Sequence, residues 1–356
     1  MNTIIKITIY GAMVVASLNN SYSAPGNIAQ QPLFLGSSVQ ANIFFGIDDS
    51  GSMAWEGLLN KGTYYPGGVS LPRIYNPPQS YTYTRSSTIE AANRREYRRL
   101  TCHGYNVLAY NPDVEYTPWK GFDSSDRPYT DRTLTSALYN PYSSTSNLDI
   151  SNHVYFVWND LDNDGEYDGP GSSNMRAPNQ PSTDECGDVA SDISPASVAV
   201  SSLPVTLDPQ DAGYPNSQQN YANWYSYYRK REYIVKRAIS ELIWNSNHRM
   251  GMATMQNNDY VGTPIRDMTD ISHKKNLLDA VSRIRSHYNT PLRLLLAHTG
   301  MYFDQAGTNN DHADLGFIEA SPILSADQGG QCQQNFSILF SCLLYTSDAA
   351  DEEAWG

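Results

Sequence analysis

The sequence predicts an α/β protein, an open sheet with helices on both faces that carries a large loop-rich insertion with short strands. Three observations predict it. Residues 43–47, an apolar run rich in Ile and Phe, read as a strand buried on both faces, as in a parallel sheet. Beyond residue 219, amphipathic helical patterns alternate with further short apolar runs in the order helix, strand, helix, helix, strand. Between the two, residues 55–218 are dense in turn formers ("YYPGG", "NPPQS", "YNPYSSTS") and poor in long apolar periods.

Composition narrows the function classes. The chain has 356 residues and a formal net charge of −13, which excludes a nucleic-acid backbone as partner and suits cation binding. Only 17% of residues are charged, against 26 Tyr, 20 Pro and 24 Gly, a mix that suits an exported adhesive protein better than a compact cytosolic enzyme. Residues 1–23 read as a signal peptide. Lys6 supplies the positive charge, residues 7–18 the apolar stretch, and Ser21 and Ser23 the small residues of a cleavage site, with Ala24 as an alternative. The apolar stretch is too short to span a bilayer, so the expectation is export, to the periplasm or the outer membrane surface. Cys102 and Cys186 lie in the loop-rich region and are disulfide candidates; no Cys/His spacing suggests zinc.

Taken in order, the first strand is followed by the insertion, too long for one loop and therefore a folded subdomain. Its tyrosines serve either as a contact surface or as the subdomain core. Residues 219–248 predict one long helix, with Trp224, Tyr228, Val235, Ala238, Ile239 and Leu242 at helical spacing and Asn220 or Asn223 as its cap. Residues 249–256 read as a strand. Residues 272–289 form an amphipathic helix with Leu277, Leu278, Val281 and Ile284 on one face and Ser272 as N-cap. Thr290 precedes Pro291, which opens another helix at its first position. Residues 334–340 predict a further strand of the buried type.

Two clusters carry chemistry. The first strand ends in "DDSGSM", which sets Asp48, Ser50 and Ser52 at alternate positions where open α/β sheets place their sites. All three offer oxygen, the donor a hard divalent cation requires, and Thr290 adds another at a later helix start. In "NDLDNDGEYDG", Asp160, Asp162 and Asp164 alternate before Gly165, and Asp168 follows at the ninth position. A backbone carbonyl at Glu166 would fill the seventh. The twelfth position is Gly171, so this is an isolated structural Ca²⁺ loop and not a full EF-hand. An enzyme is not expected: no HExxH, GxSxG or phosphate-loop motif is present, and the 94–99 basic run reads as a solvated helix face. A secreted, calcium-stabilised hydrolase with a serine nucleophile is the alternative.

"DDSGSM" after a buried strand, together with "NTPLR" opening a later helix, resembles the metal-ion-dependent adhesion site of von Willebrand factor A domains. The resemblance implies that Asp48, Ser50, Ser52 and Thr290 hold Mg²⁺ or Mn²⁺, with one coordination position open for an acidic group of a partner. "NPDVEYTPW", "NWYSYYRKREYIVKRAI", "NTPLR" and "CQQNFSILF" resemble the N-terminal part of the PilC/PilY family of type IV pilus tip proteins, over most of residues 41–340. That implies a tip adhesin and biogenesis factor, with minor pilins and a host-cell or surface ligand as partners, or an assembly factor without direct adhesion. After "QNFSILF" the family continues with T-D-G, whose Asp is the remaining metal-site carboxylate. Here Ser341-Cys342-Leu343 takes that place, and the tail resembles translated sequencing-adapter read-through. The expected organisation is therefore a signal peptide (1–23), the start of the von Willebrand A-like domain (24–54) and the insertion with its calcium loop (55–218). The rest of that domain (219–340), incomplete at its C-terminus, and an artefactual tail (341–356) complete it.

Overall fold

The computed structural model describes residues 39–59, 74, 100–143, 147–151, 153–155, 158–160, 163–167, 185–186, 203–204, 217–255, 261–287, 289–304 and 315–342. The signal-peptide stretch, the 94–99 run, Asp162, Asp168, and residues 343–356 lie outside the described residues. The chain divides into two units, Met1–Val39 and Gln40–Gly356, and every described helix and strand belongs to the second.

In chain order the elements begin with β1 (Asn42–Ile47). The insertion contributes the two-residue strands β2 (Ala137–Leu138), β3 (Asn147–Leu148), β4 (Val154–Tyr155), β5 (Trp158–Asn159), β6 (Glu185–Cys186) and β7 (Leu203–Pro204). Then come α1 (Ser217–Tyr227), α2 (Arg231–Asn245), β8 (Arg249–Thr254), β9 (Gly262–Asp267), α3 (Ile271–Arg283), α4 (Leu292–Phe303) and β10 (Asn335–Phe340). The main sheet is open and mixed, in the order β10-β1-β8-β9, with β1 parallel to both neighbours and β9 antiparallel to β8.

The period-2 alternation of β1 sorts its side chains between two cores. Ile43, Phe45 and Ile47 pack with Ile239 and Ile243 of α2 and with Leu277, Leu278 and Val281 of α3. Phe44 points the other way, to Leu295 and Tyr302 of α4 and to Leu315. Helices thus cover both faces, and each fully buried Phe or Ile contributes about 1.5–3 kcal/mol. At Gly46 any side chain would collide with Leu339 of β10 and Leu295 of α4, so a residue without Cβ lets the helix settle on the sheet.

Several expectations are corrected. The single helix over 219–248 is two, broken at residues 228–230, because Lys230 is extended (φ −117°, ψ 152°) and Arg229 turns inward. Asn220 and Asn223 are therefore no caps. They lie within α1, where their side-chain carbonyls accept from the backbone N–H of Tyr116 and Arg132. The buried face of α2 is Glu232, Tyr233, Lys236, Ile239, Ser240 and Ile243, leaving Leu242 and Trp244 exposed. Asp270, not Ser272, caps α3, accepting from the N–H groups of Ser272 and His273. Strand β9 is an element the sequence pattern hides, since Pro264 sits in its middle. An edge strand tolerates proline, and the β8–β9 register shifts there. Gly251 permits it, because a Cβ would lie 2.7 Å from the backbone of Ile265. Strand β10 is an edge, not a buried strand: Phe336 and Ile338 are 47% and 39% exposed.

The tyrosines form a core. Tyr105, Tyr110, Tyr155 and Tyr167 from the insertion bury against Tyr221, Trp224 and Tyr225 of α1. Rings meet edge-on, as aromatic quadrupoles favour, with Tyr110 4.9 Å from Tyr155 and 5.0 Å from Tyr221. Cys102 is disulfide-bonded, while Cys332 and Cys342 are free. The side chain of Cys186, the other disulfide candidate, lies outside the described residues.

Arg229 joins this core to the strand side. Its guanidinium is fully buried, pairs with Glu56 at 3.0 Å, and donates to the carbonyls of Tyr225 (2.6 Å) and Tyr139 (2.8 Å). The Tyr225 ring lies 4.3 Å from it. Replacing it as Arg229→Ala breaks the buried ion pair, removes its hydrogen bonds to the main chain and leaves a cavity, with an expected loss of about 3–5 kcal/mol. Urea denaturation of the variant measures this; an unchanged midpoint would refute the role.

Candidate metal centre

The parallel register of β1 with β10 and β8 brings three strand ends together: Ile47 lies opposite Phe340 on one side and Thr254 on the other. The ladder runs one residue further, the N–H of Asp48 donating to the Phe340 carbonyl at 2.9 Å. The chain then turns through a short 3₁₀ helix, Gly51–Ala54. Asp48 folds this turn onto itself, its Oδ1 accepting from the Ser50 N–H at 2.8 Å.

Oxygen donors converge there. The hydroxyls of Ser50 and Ser52 are 3.1 Å apart, and the Ser341 hydroxyl donates to Asp48 Oδ2 at 2.7 Å. The Cys342 thiol lies 3.1 Å from the Ser52 hydroxyl and 3.9 Å from Asp48 Oδ2. Asp48 and Ser50 are buried. One carboxylate with three hydroxyls fits a hard divalent cation, and the soft thiol fits it less well. Among the described residues, no three His, Cys, Asp or Glu side chains converge, so any cation here relies on hydroxyls and water. Thr290 stands just before α4, its carbonyl accepting from Leu292 N–H, and no hydrogen bond joins it to Asp48, Ser50 or Ser52.

Ser341 and Cys342, which the sequence pattern assigns to the tail, belong to this cluster. Their signal is positional: the residues after a strand paired in parallel with β1 arrive beside Asp48.

Asp49 serves the scaffold. Its carboxylate accepts from Met255 N–H at 3.2 Å, and its carbonyl accepts from His287 N–H at 2.7 Å. Burial pushes its carboxyl up to about 7, against the opposing pull of Met255 N–H and Thr254, with the Asp48 charge adding to the rise.

In the acidic loop, Asp160 Oδ2 accepts from Gly165 N–H at 3.0 Å and Asp164 Oδ1 from Glu166 N–H at 2.8 Å. Asn163 and Gly165 are left-handed (φ 57° and 76°), which coils the segment. Asp160 Oδ1 is buried with no hydrogen-bond partner among the described residues, a lone pair that a cation would satisfy. Asp162 and Asp168 lie outside the described residues.

The raised Asp49 value has a definite sign. The folded state holds its proton more tightly than the unfolded chain, so its contribution is complete below pH 4 and lost as pH rises through about 7. In a chelator, Asp49→Asn should flatten the fall of melting temperature across that window and leave the variant the more stable at pH 8. Parallel pH–melting curves for the two proteins would refute this.

A type IV pilus biogenesis factor PilY1 from Pseudomonas aeruginosa strain UCBPP-PA14 is 28% identical over 309 residues, covering 82% of this chain and 23% of that protein. The PilY1 of strain PAK is 24% identical, covering 95% of this chain and 26% of its own length. The chain thus spans about a quarter of the length of the curated relatives it matches. Neither a protein-family model nor a solved structure matches. Three PilY1 proteins match, all at 22–28% identity over most of the chain, and they make this chain a distant relative of the PilY1-type type IV pilus biogenesis factors.

Proposed function

We propose that this chain is a divalent-cation-dependent binding module of a type IV pilus-associated protein, built on a von Willebrand A-like sheet and acting without enzymatic chemistry. The observation that carries the reading is the meeting of Asp48, Ser50, Ser52 and Ser341 at the ends of parallel strands β1 and β10. The sheet order, with β1 inside and an antiparallel edge strand β9, supports the fold assignment. Asp48, Ser50, Ser52 and Thr290 would hold Mg²⁺ or Mn²⁺. The ion would offer an open position to a carboxylate on a minor pilin, a host-cell protein or a surface. Asp160, Asp162, Asp164, Asp168 and the Glu166 carbonyl would hold Ca²⁺ and stiffen the insertion. An exported location, at the outer membrane surface or pilus tip, is part of the same reading, and the relatives are named for pilus biogenesis. Among the described residues no helix is long and apolar enough to cross a membrane.

Calorimetry with Mg²⁺ and Mn²⁺ tests the first site. Asp48→Ala should abolish binding, whereas Ser52→Ala and Thr290→Ala, each losing a neutral donor, should weaken it less. Unchanged affinity in Asp48→Ala would sink the assignment. For the second site, calcium should raise the melting temperature by mass action on the folded state. Asp160→Asn combined with Asp164→Asn should erase that shift, and a wild-type protein indifferent to calcium would leave the loop a plain acidic turn.

A further inference from the structure

Two charged side chains on the buried face of α2, Glu232 and Lys236, point at one short backbone segment. Glu232 Oε2 accepts from both the N–H (3.1 Å) and the hydroxyl (2.6 Å) of Ser286. Lys236, one turn on, donates its ammonium to the carbonyls of Ile284 (2.6 Å) and Ser282 (3.3 Å). These carbonyls end α3, where a cation suits the helix dipole and satisfies acceptors the helix cannot. The next residue after Ser286 donates its N–H to the Asp49 carbonyl, beside Asp48. Residues 282–287 are therefore pinned at successive points between α2 and the end of β1. Glu232, Lys236 and Asp48 also line one narrow crevice with Ile47 and Met53.

Burying two charges is costly, and apolar side chains of similar size would fill the space at least as favourably. What apolar residues lack is a grip on the main chain. We propose that Glu232 and Lys236 are positioning residues of the metal centre, holding residues 282–287 against the tip of β1 so that Asp48 and the segment leading to Thr290 share one rigid frame. This rests on the metal-binding reading of Asp48. The role is analogous to outer partners that orient metal ligands elsewhere, although here it acts through backbone.

The test is a Mn²⁺ titration of the whole chain, with free Mn²⁺ followed by electron paramagnetic resonance and melting measured separately in chelator. Glu232→Ala should weaken Mn²⁺ binding roughly 10-fold, the lower end for loss of an outer partner. Glu232→Gln keeps an acceptor for Ser286 and should bind within about twofold of wild type, since the bond and not the charge is at stake. Ser286→Ala, a milder change, should fall between them. A merely structural role would lower the melting temperature and leave the affinity of the folded protein unchanged, and that result overturns the proposal. If Glu232→Ala does not fold, Ser286→Ala decides: unchanged affinity refutes. Wild-type protein that fails to bind Mn²⁺ overturns the metal reading and this inference together. Binding lost in Asp48→Ala yet intact in Glu232→Ala and Ser286→Ala overturns the positioning role alone.

Discussion

Strand β1 is paired in parallel along both edges and covered on both faces, and the architecture follows from that double constraint. A strand so enclosed must be apolar throughout, and Ile43 to Ile47 are, with Gly46 the concession to α4. Parallel pairing also aligns the strands' C-terminal ends. The chain must leave the sheet where its neighbours leave it, and the first residues outside are free to be polar. Asp48, Asp49 and Ser50 occupy that exit, yet remain buried because the ends of β10 and β8 crowd the same space. The carboxylates divide the task. Asp49 is absorbed by Met255 and Thr254 of the neighbouring strand end, and Asp48 is left to face the hydroxyls.

Helix α2 and the Arg229 turn before it form the second organising element. Their inward face carries charge: Arg229 meets Glu56, and Glu232 and Lys236 meet the end of α3. Each charge is matched by hydrogen bonds to main chain, which makes such burial tolerable. Because Glu56 lies four residues beyond Ser52, and residues 284–287 lead to Thr290, this stretch touches the flanks on both sides of the strand tip. On its other side, Arg229 stacks on Tyr225 of the aromatic core. The insertion is thus built into the sheet domain through a few named contacts.

The core strand, the apolar face of α3 and the Asp48–Ser52 cluster are legible in the sequence because each is local. A run of Ile and Phe, a 3.6 period and an alternating D-x-S-x-S need no distant partner to be recognised. The features that escape it are set by tertiary contact. The break at Tyr228–Lys230 is invisible to periodicity, because Tyr, Arg and Lys are ordinary helix residues; the turn exists to bury Arg229 against Glu56. Strand β9 contradicts propensity at Pro264 and survives as an edge. Whether the tyrosines form a surface or a core depends on α1 supplying Trp224 and its neighbours. Ser341 and Cys342 reach the cluster only through the β1–β10 pairing, and no local pattern marks them.

The donor set also bears on how the proposed centre would behave. Asp48 brings one negative charge and the serines none, so a divalent cation held there would keep net positive charge. Burial makes that residual charge felt more strongly than it would be in water. An acidic group from outside is the natural complement, and a site with few carboxylates of its own depends on it. Cys342 pulls the other way. A thiol at 3.9 Å from Asp48 Oδ2 favours softer ions than the hydroxyls around it do. Under the proposed reading, the residue at position 342 therefore bears on which ion the centre prefers.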